Sequence, residues 1–398
     1  MKFGNPEIGI FSIMDYGADP SGRKDSTEAV QKAIDLAAAY CGGQGGVVQV
    51  PPGTFLCADV KMRRQVLLQG TGTWGYRVNG SCVLKASPNV KTCVLDLSDA
   101  FSCSISCITV DGDDQGENIH GFYFHRDRMG GEAGTNEEDI PTLDNCKAAH
   151  CSGDGIHYEN IWCYRIHHCQ VKSCRNGLFA QGVDGFILDN WFSDNREWGI
   201  RTSKDFAPNS AVLVTGCRVE WNRLGGFLLT GTEKWQISNC SFDRNFGPSI
   251  SCISSGHRRA PHNHTIAITG NVFNRSGSGR EGDDNSHLIL DGAFNTVVSG
   301  NTFCAGADDD YTGEASPKFA IVVKDLKSTV IANNALQNSC TEQVLVDHGD
   351  HYIPMENDTN VGLIYENNPG CPFPESARVM GYYYMIQKDA PNTRGERS

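Results

Sequence analysis

Phe186-Ile-Leu-Asp-Asn190-Trp-Phe192, Val212-Leu-Val-Thr-Gly-Cys217-Arg-Val219, Trp235-Gln-Ile-Ser-Asn-Cys240-Ser-Phe242, Ile266-Ala-Ile-Thr-Gly-Asn271-Val-Phe273 and Val297-Val-Ser-Gly-Asn301-Thr-Phe303 are variations on one line. An earlier line ends Cys169-Gln-Val171 and a later one ends Asn334-Ala-Leu336. The recurring Asn or Cys falls at 169, 190, 217, 240, 271, 301 and 334, in steps of 21, 27, 23, 31, 30 and 33. Such a period marks a solenoid, one step per coil, with the longer steps carrying loop insertions. Second strands follow at Gly199-Ile-Arg-Thr, Gly226-Phe-Leu-Leu, Ser249-Ile-Ser-Cys, His287-Leu-Ile-Leu, Ala320-Ile-Val-Val and Val344-Leu-Val. No helical pattern recurs between them, so the strands stack coil upon coil in parallel.

Alternation along a strand assigns the faces. With the ladder residue and the one two further on pointing inward, Val171, Phe192, Val219, Phe242, Phe273, Phe303 and Leu336 form an internal stack. Cys169, Cys217 and Cys240 then alternate with Asn190, Asn271, Asn301 and Asn334 at an inward corner, where stacked Asn side chains hydrogen-bond along the ladder.

The whole chain of 398 residues has 34 Lys and Arg against 47 Asp and Glu, a net charge of −13. That argues against nucleic acid as a partner, which needs a basic surface. No apolar run approaches the roughly 18 residues of a membrane helix, so no membrane partner is expected. The start of the chain lacks a basic segment followed by an apolar one, and its 17 cysteines are an odd number. Reduced thiols and a cytoplasmic rather than a secreted location are the expectation.

Toward the N-terminus, Asp15-Tyr16-Gly17-Ala18-Asp19-Pro20 leads into Asp25-Ser26-Thr27-Glu28, a helix start with acids in its first turn. Ala29, Val30, Ala33, Ile34, Ala37 and Ala38 follow at helical spacing, and Gly42–Gly46 ends the helix. Val47–Val50 reads as a strand and Pro51–Phe55 as a turn. This segment closely resembles the N-terminal cap of the pectate-lyase-like superfamily, related to polygalacturonases and tailspike-like proteins. The resemblance implies an all-β, single-stranded right-handed parallel β-helix with an N-terminal helical cap. The expected divisions are a cap at 1–55, the β-helix at 56–370 and an irregular segment at 371–398, in which Pro372, Pro374 and Tyr382-Tyr383-Tyr384 pack on the solenoid or on a partner chain.

Outward positions carry the chemistry. One column reads Gln170, Trp191, Arg218, Ser241, Val272 and Thr302, and the other reads Lys172, Ser193, Glu220, Asp243, Asn274 and Cys304. Glu220 and Asp243 thus stand on adjacent coils, about 4.8 Å apart as strands go, which suits a retaining glycosidase pair. Such a pair pushes its pKa values apart. Asp194 and Glu197 are further candidate acids, while Trp191, Arg218, Trp221, Arg244, Arg201, Lys172 and His257 are candidate substrate contacts. The plain alternative is a solvated surface on which paired charges steady the strands. His257, His262 and His264 lie in a coil insertion that reads either as an overhanging loop or as solvated surface. His150 beside Cys146 and Cys151 lacks zinc spacing, and Asp283-Asp284 and Asp308–Asp310 read as solvated loop tips. The leading expectation is no metal and no cofactor, because Ca²⁺ takes six to eight oxygen ligands and the sequence does not show that many converging; a Ca²⁺ site built from these acids is the alternative.

The polygalacturonase order of Asn-Thr-Asp, Asp-Asp, Gly-His-Gly and Arg-Ile-Lys blocks is not kept: Asp283-Asp284 follows Gly256-His257 here. Calcium-dependent pectate lyases use an Arg base, a role open to Arg218, Arg244 or Lys172. Likeness to inulin fructotransferases in length and coil style implies a trimer. The leading expectation is an enzyme that cleaves or transfers at a glycosidic bond of an oligo- or polysaccharide, with Glu220 and Asp243 as its acids. The alternatives are a polysaccharide lyase acting on a uronic-acid glycan and a non-catalytic glycan-binding or tailspike-like protein.

Overall fold

A computed structural model describes residues 2–129, 137–203, 209–255, 261–306, 315–355 and 361–372. The chain winds into a parallel β-helix with three sheets along its sides. In one coil, Trp191–Ser193 lies in the third sheet, Trp198–Thr202 in the first and Asn209–Thr215 in the second, before Arg218–Glu220 returns to the third. Every paired strand is parallel to its partner, and Trp191 sits over Arg218, Arg218 over Ser241, Ser241 over Val272 and Val272 over Thr302. Those partners are one ladder step apart, so the repeat read from sequence is the coil.

The inward stack is buried from Val171 to Leu336. Phe242 and Phe273 lie parallel at 5.2 Å between ring centroids, and Phe273 and Phe303 at 4.5 Å. Each such ring contributes about 1.5–3 kcal/mol by leaving water. At the corner the ladder closes as expected. The Cys240 N–H donates to Asn271 Oδ1 at 2.9 Å, Asn271 N–H to Asn301 Oδ1 at 2.9 Å, and Asn301 N–H to Asn334 Oδ1 at 3.1 Å. The residue just before each ladder position has positive φ, from His168 and Asp189 through Gly216, Asn239, Gly270 and Gly300 to Asn333. Only Gly and short polar residues enter that region cheaply, which is why Gly, Asn and Asp recur there.

A second amide ladder runs along the opposite end of the third-sheet strands. Cys174 N–H donates to Asn195 Oδ1, Asn195 N–H to Asn222 Oδ1, and Asn222 N–H to Asn245 Oδ1, at 3.1, 3.2 and 3.2 Å. Asn195, Asn222 and Asn245 follow the first ladder by five residues in each coil, and all three are buried. In Asp194–Trp198, Val219–Asn222 and Phe242–Asn245, the Asn is therefore a rung of the fold.

Helix α1, Thr27–Ala39, closes the N-terminal end and buries Ala29, Val30, Ala33, Ile34 and Ala37. Its first N–H is met by Asp25 Oδ1, whereas the Ser26 hydroxyl turns away to accept the Asp19 N–H. The expected turn at Pro51–Phe55 is shorter than the sequence suggested: Gly53–Cys57 is a third-sheet strand, paired with Ser21–Asp25 and Cys82–Ala86. The third sheet thus begins beside α1. At the other end Gly370–Cys371 pairs with Leu336–Gln337; Pro374 and Tyr382–Tyr384 lie outside the described residues. No described helix is long and apolar enough to cross a membrane.

Candidate active site

The outward columns of the third sheet bring Glu220 beside Asp243 in register, with Arg218, Trp191 and Lys172 close by. Around Trp191 and Glu220 these outward columns do not face open solvent. Residues 71–80 cross the sheet as a strap, and the Glu220 side chain is fully buried. Glu220 Oε1 accepts from Trp191 Nε1 at 2.7 Å, and Oε2 from Arg218 Nε at 3.2 Å. Burial pushes the Glu220 carboxyl up, against the pull of Arg218. Asp243 is saturated: Arg275 bonds both its oxygens at 3.0 and 2.7 Å, Arg244 adds bonds at 3.1 and 2.8 Å, and Asn274 one at 3.1 Å.

The tryptophan faces are occupied too. Tyr76 of the strap stacks on Trp191 with centroids 4.6 Å apart and lies 6.0 Å from Trp221. The Arg218 guanidinium covers Trp191 at 4.9 Å, and that of Arg244 covers Trp221 at 4.4 Å. Lys172 Nζ sits 4.7 Å from the Tyr76 ring. Asp194, at a positive-φ corner, accepts from Ser173 Oγ at 3.1 Å. Lys147 Nζ ties the strap down by donating to Gly75 O and Val78 O at 3.2 and 3.0 Å. Burial, with Lys172 nearby, lowers its ammonium to about 8.

Two of the expected site residues lie elsewhere. Arg201 belongs to the first sheet, and Glu197 sits at the corner leading into it, 3.4 Å from Arg201 NH1. His257 lies outside the described residues.

Around Arg201 the first sheet builds a different constellation. Its outward column reads Tyr123, His157, Phe179 and Arg201 in four consecutive coils. The Tyr123 and His157 rings stack at 5.2 Å, and those of His157 and Phe179 at 4.7 Å. The neighbouring outward column begins His125, Glu159, Gln181. At the corner below, Asp154 is fully buried and accepts His157 Nδ1–H at 2.8 Å, Arg175 Nε and NH2 at 3.0 and 2.9 Å, and Asn176 Nδ2 at 2.8 Å. These partners outweigh burial and hold the Asp154 carboxyl far below its usual range. Burial opposes charge on His157, yet its bond to Asp154 and the nearby Glu159 carboxylate raise its pKa overall.

Glu159 receives His125 Nδ1–H at 2.8 Å and lies 3.6 Å from His157 Nε2; the nearness of His157 leads a drop to about 2. His120 accepts the Asp154 backbone N–H on Nδ1 at 3.0 Å, and burial takes it down to about 3, so it is a neutral neighbour of His157. Burial raises the Tyr123 phenol to about 12. Arg201 is one-third exposed, and its buried Nε has no hydrogen-bond partner among the described residues.

His120, Asp154 and His157 are the one group among the described residues whose ligand atoms converge closely enough for a metal ion. The donor set does not fit one. Asp154 is spent on Arg175, Asn176 and His157, and His120 Nδ1 on a backbone N–H. The arrangement is that of a carboxylate orienting a histidine.

A signal for this site was present in the sequence. Tyr123, His157, Phe179, Arg201 and Leu228 each follow a glycine by two residues: Gly121, Gly155, Gly177, Gly199 and Gly226. A Cβ at Gly177 would lie 2.4 Å from the Gly199 carbonyl oxygen, so coils stack there only without one.

The sequence model of the right-handed beta helix region matches residues 106–273 and 161–360, more than half the chain. The chain belongs to this right-handed beta helix family. Among solved structures, this right-handed beta helix is similar to the A-module of the Azotobacter vinelandii mannuronan C-5 epimerase AlgE6. The two share 16% identity at a TM-score of 0.58, over 91% of this chain and 99% of that one. It is similar as well to DFA-IIIase from Arthrobacter chlorophenolicus A6, at 14% identity and a TM-score of 0.61, over 92% and 93% of the two chains. The enzymatically active domain of bacteriophage CBA120 tailspike protein 2 matches at 12% identity and a TM-score of 0.60, over 88% of this chain and 54% of that one. The shared property is the right-handed parallel β-helix fold.

Proposed function

We propose that this protein is a carbohydrate-active enzyme that moves a proton at the carbon next to the carboxylate of a uronic-acid residue, in a glycan laid along the first sheet. One observation carries the reading: a histidine oriented by a buried carboxylate, His157 on Asp154, stacked beside Tyr123 and two strands from Arg201. A proton next to a carboxylate leaves only if the developing negative charge is neutralised, a task for a positioned cation such as Arg201. His157 with Nδ1 pinned exchanges its proton through Nε2, and Tyr123 is a second proton-carrying group on the same face. Loss of that proton leaves an electron pair with two exits. It forms a carbon–carbon double bond as the glycosidic oxygen departs with a proton, or it takes a proton back on the opposite face. The likeness to a mannuronan C-5 epimerase is in keeping with this chemistry. Glu220 and Asp243 receive no step, because both carboxyls are bonded by neighbouring side chains.

The test is a panel of uronic-acid and neutral glycans incubated with the enzyme in heavy water. Elimination gives the ultraviolet absorbance of a new double bond, and proton return gives deuterium at the carbon next to the carboxylate. One of these is expected, and His157→Gln abolishes it. New reducing ends without either signature, or full turnover by His157→Gln, overturns the reading in favour of glycosidic cleavage.

A further inference from the structure

We infer that the strap at residues 71–80 is a displaceable cover over a second glycan-binding site, in which a ring of an acidic oligosaccharide takes the place of Tyr76 on Trp191.

Three observations carry this. The first is what lies beneath. Gln170 points outward from the third sheet between Lys147 and Trp191, yet it is fully buried, and neither Oε1 nor Nε2 has a hydrogen-bond partner among the described residues. A buried amide with both ends unmet is costly, and a hydroxyl-rich ligand is the kind of group that meets them. The second is the stack itself. Tyr76 lies nearly parallel on Trp191, 27° between planes, as a flat sugar ring lies on an indole. Lys172 and Arg218 flank the stack; Arg218 is paired with the buried Glu220, so the Lys172 ammonium is the group that would meet a carboxylate-bearing ring.

The third is how lightly the cover is held. No residue from 71 to 80 is fully buried. The strap is held by hydrogen bonds from Trp74 to His168 O, Thr73 to Asn145, Tyr76 to Ser193, Gly80 N–H to Thr109, Lys147 to two strap carbonyls and Asn79 to Asp111, and by the Trp74 and Tyr76 rings against Trp191. A segment with no fully buried side chain opens at lower cost than the coils beneath it.

The site does not rest on the chemistry assigned to His157, and it is read by binding rather than turnover. The probes are short oligomannuronates and oligogalacturonates, with cello-oligosaccharides as the neutral control, and every chain carries His157→Gln so that no probe is consumed. Tyr76→Ala is expected to bind an acidic probe at least tenfold more tightly than the chain with Tyr76, by titration calorimetry, and Trp191→Ala in that background removes the gain. Equal affinity with and without Tyr76, or a gain that survives Trp191→Ala, overturns the inference. Should Trp191→Ala unfold the chain, amide exchange decides with Tyr76 and Trp191 in place. Acidic probe speeds exchange at 71–80 if the strap is displaced, and unchanged exchange overturns the inference.

Discussion

Asp154 and His157 are joined by a 2.8 Å hydrogen bond in which a fully buried carboxylate, held from its other side by Arg175, fixes the imidazole. The pair sits three residues apart across a corner of the coil, so the charge that tunes the histidine lies beneath the sheet surface and the histidine itself on it.

Asp154→Asn removes that charge while keeping the shape. Turnover is expected to fall by about 10²–10⁴-fold, the usual range for losing a positioned proton-transfer partner. The His157 limb of the pH–rate profile should also move down toward the value of a free histidine, because the raising partner is gone. Breaking the buried pair with Arg175 costs about 3–5 kcal/mol of stability, checked by denaturant unfolding.

The pH dependence of stability has a defined sign. His157 is raised above its ordinary 6.5, so its contribution is complete below about 6.5 and is lost as pH rises through the higher folded value. Asp154 and Glu159 are lowered, so theirs are complete above about 4.5 and are lost as pH falls toward about 2. His120 and His287, buried and lowered to about 3 and about 4, are protonated first in the unfolded chain, so stability falls below about 6.5. Thermal melts should therefore peak near pH 6.5, and His120→Gln should flatten the acid limb.

Glu220→Gln is expected to leave turnover on the true substrate unchanged. Asp243→Asn deprives Arg244 and Arg275 of their shared carboxylate and should lower stability by about 3–5 kcal/mol, seen in unfolding curves. Loss of turnover in Glu220→Gln with the melting temperature intact would return the chemistry to the third sheet.

Asn222→Ala removes the acceptor of Asn195 N–H and the donor to Asn245 and to Phe192 O, all in the dry interior. Unfolding should show a loss of about 2–4 kcal/mol, from unmet hydrogen bonds and a small void. Asn338→Ala, at a position outside both ladders, should cost far less.

The coil, its inward stack and the first ladder were legible because a ladder position tolerates so few residue types that Asn and Cys stand out at once. The second ladder carries the same signal five residues on, but there Asn195, Asn222 and Asn245 sit among Arg, Glu and Trp, and the charged neighbours draw the eye. Tyr123 and His157 were missed because the earliest second strand read was Gly199-Ile-Arg-Thr; extending the glycine column upstream to Gly177, Gly155 and Gly121 reaches them. The strap left no trace in the periodicity. Its position depends on Lys147, Trp191 and Ser193, which lie 67 or more residues further along the chain.

The two amide ladders act as a ruler that fixes pitch and leaves girth free. Third-sheet partners are separated by 21 residues between Gln170 and Trp191 and by 31 between Ser241 and Val272, yet the coils stack at one spacing. Lengthening an outward excursion costs only loop-closure entropy, about 0.6 kcal/mol per doubling. Such a frame admits a surface segment at any turn without disturbing the turns on either side, and the piece that covers Trp191 is one such segment.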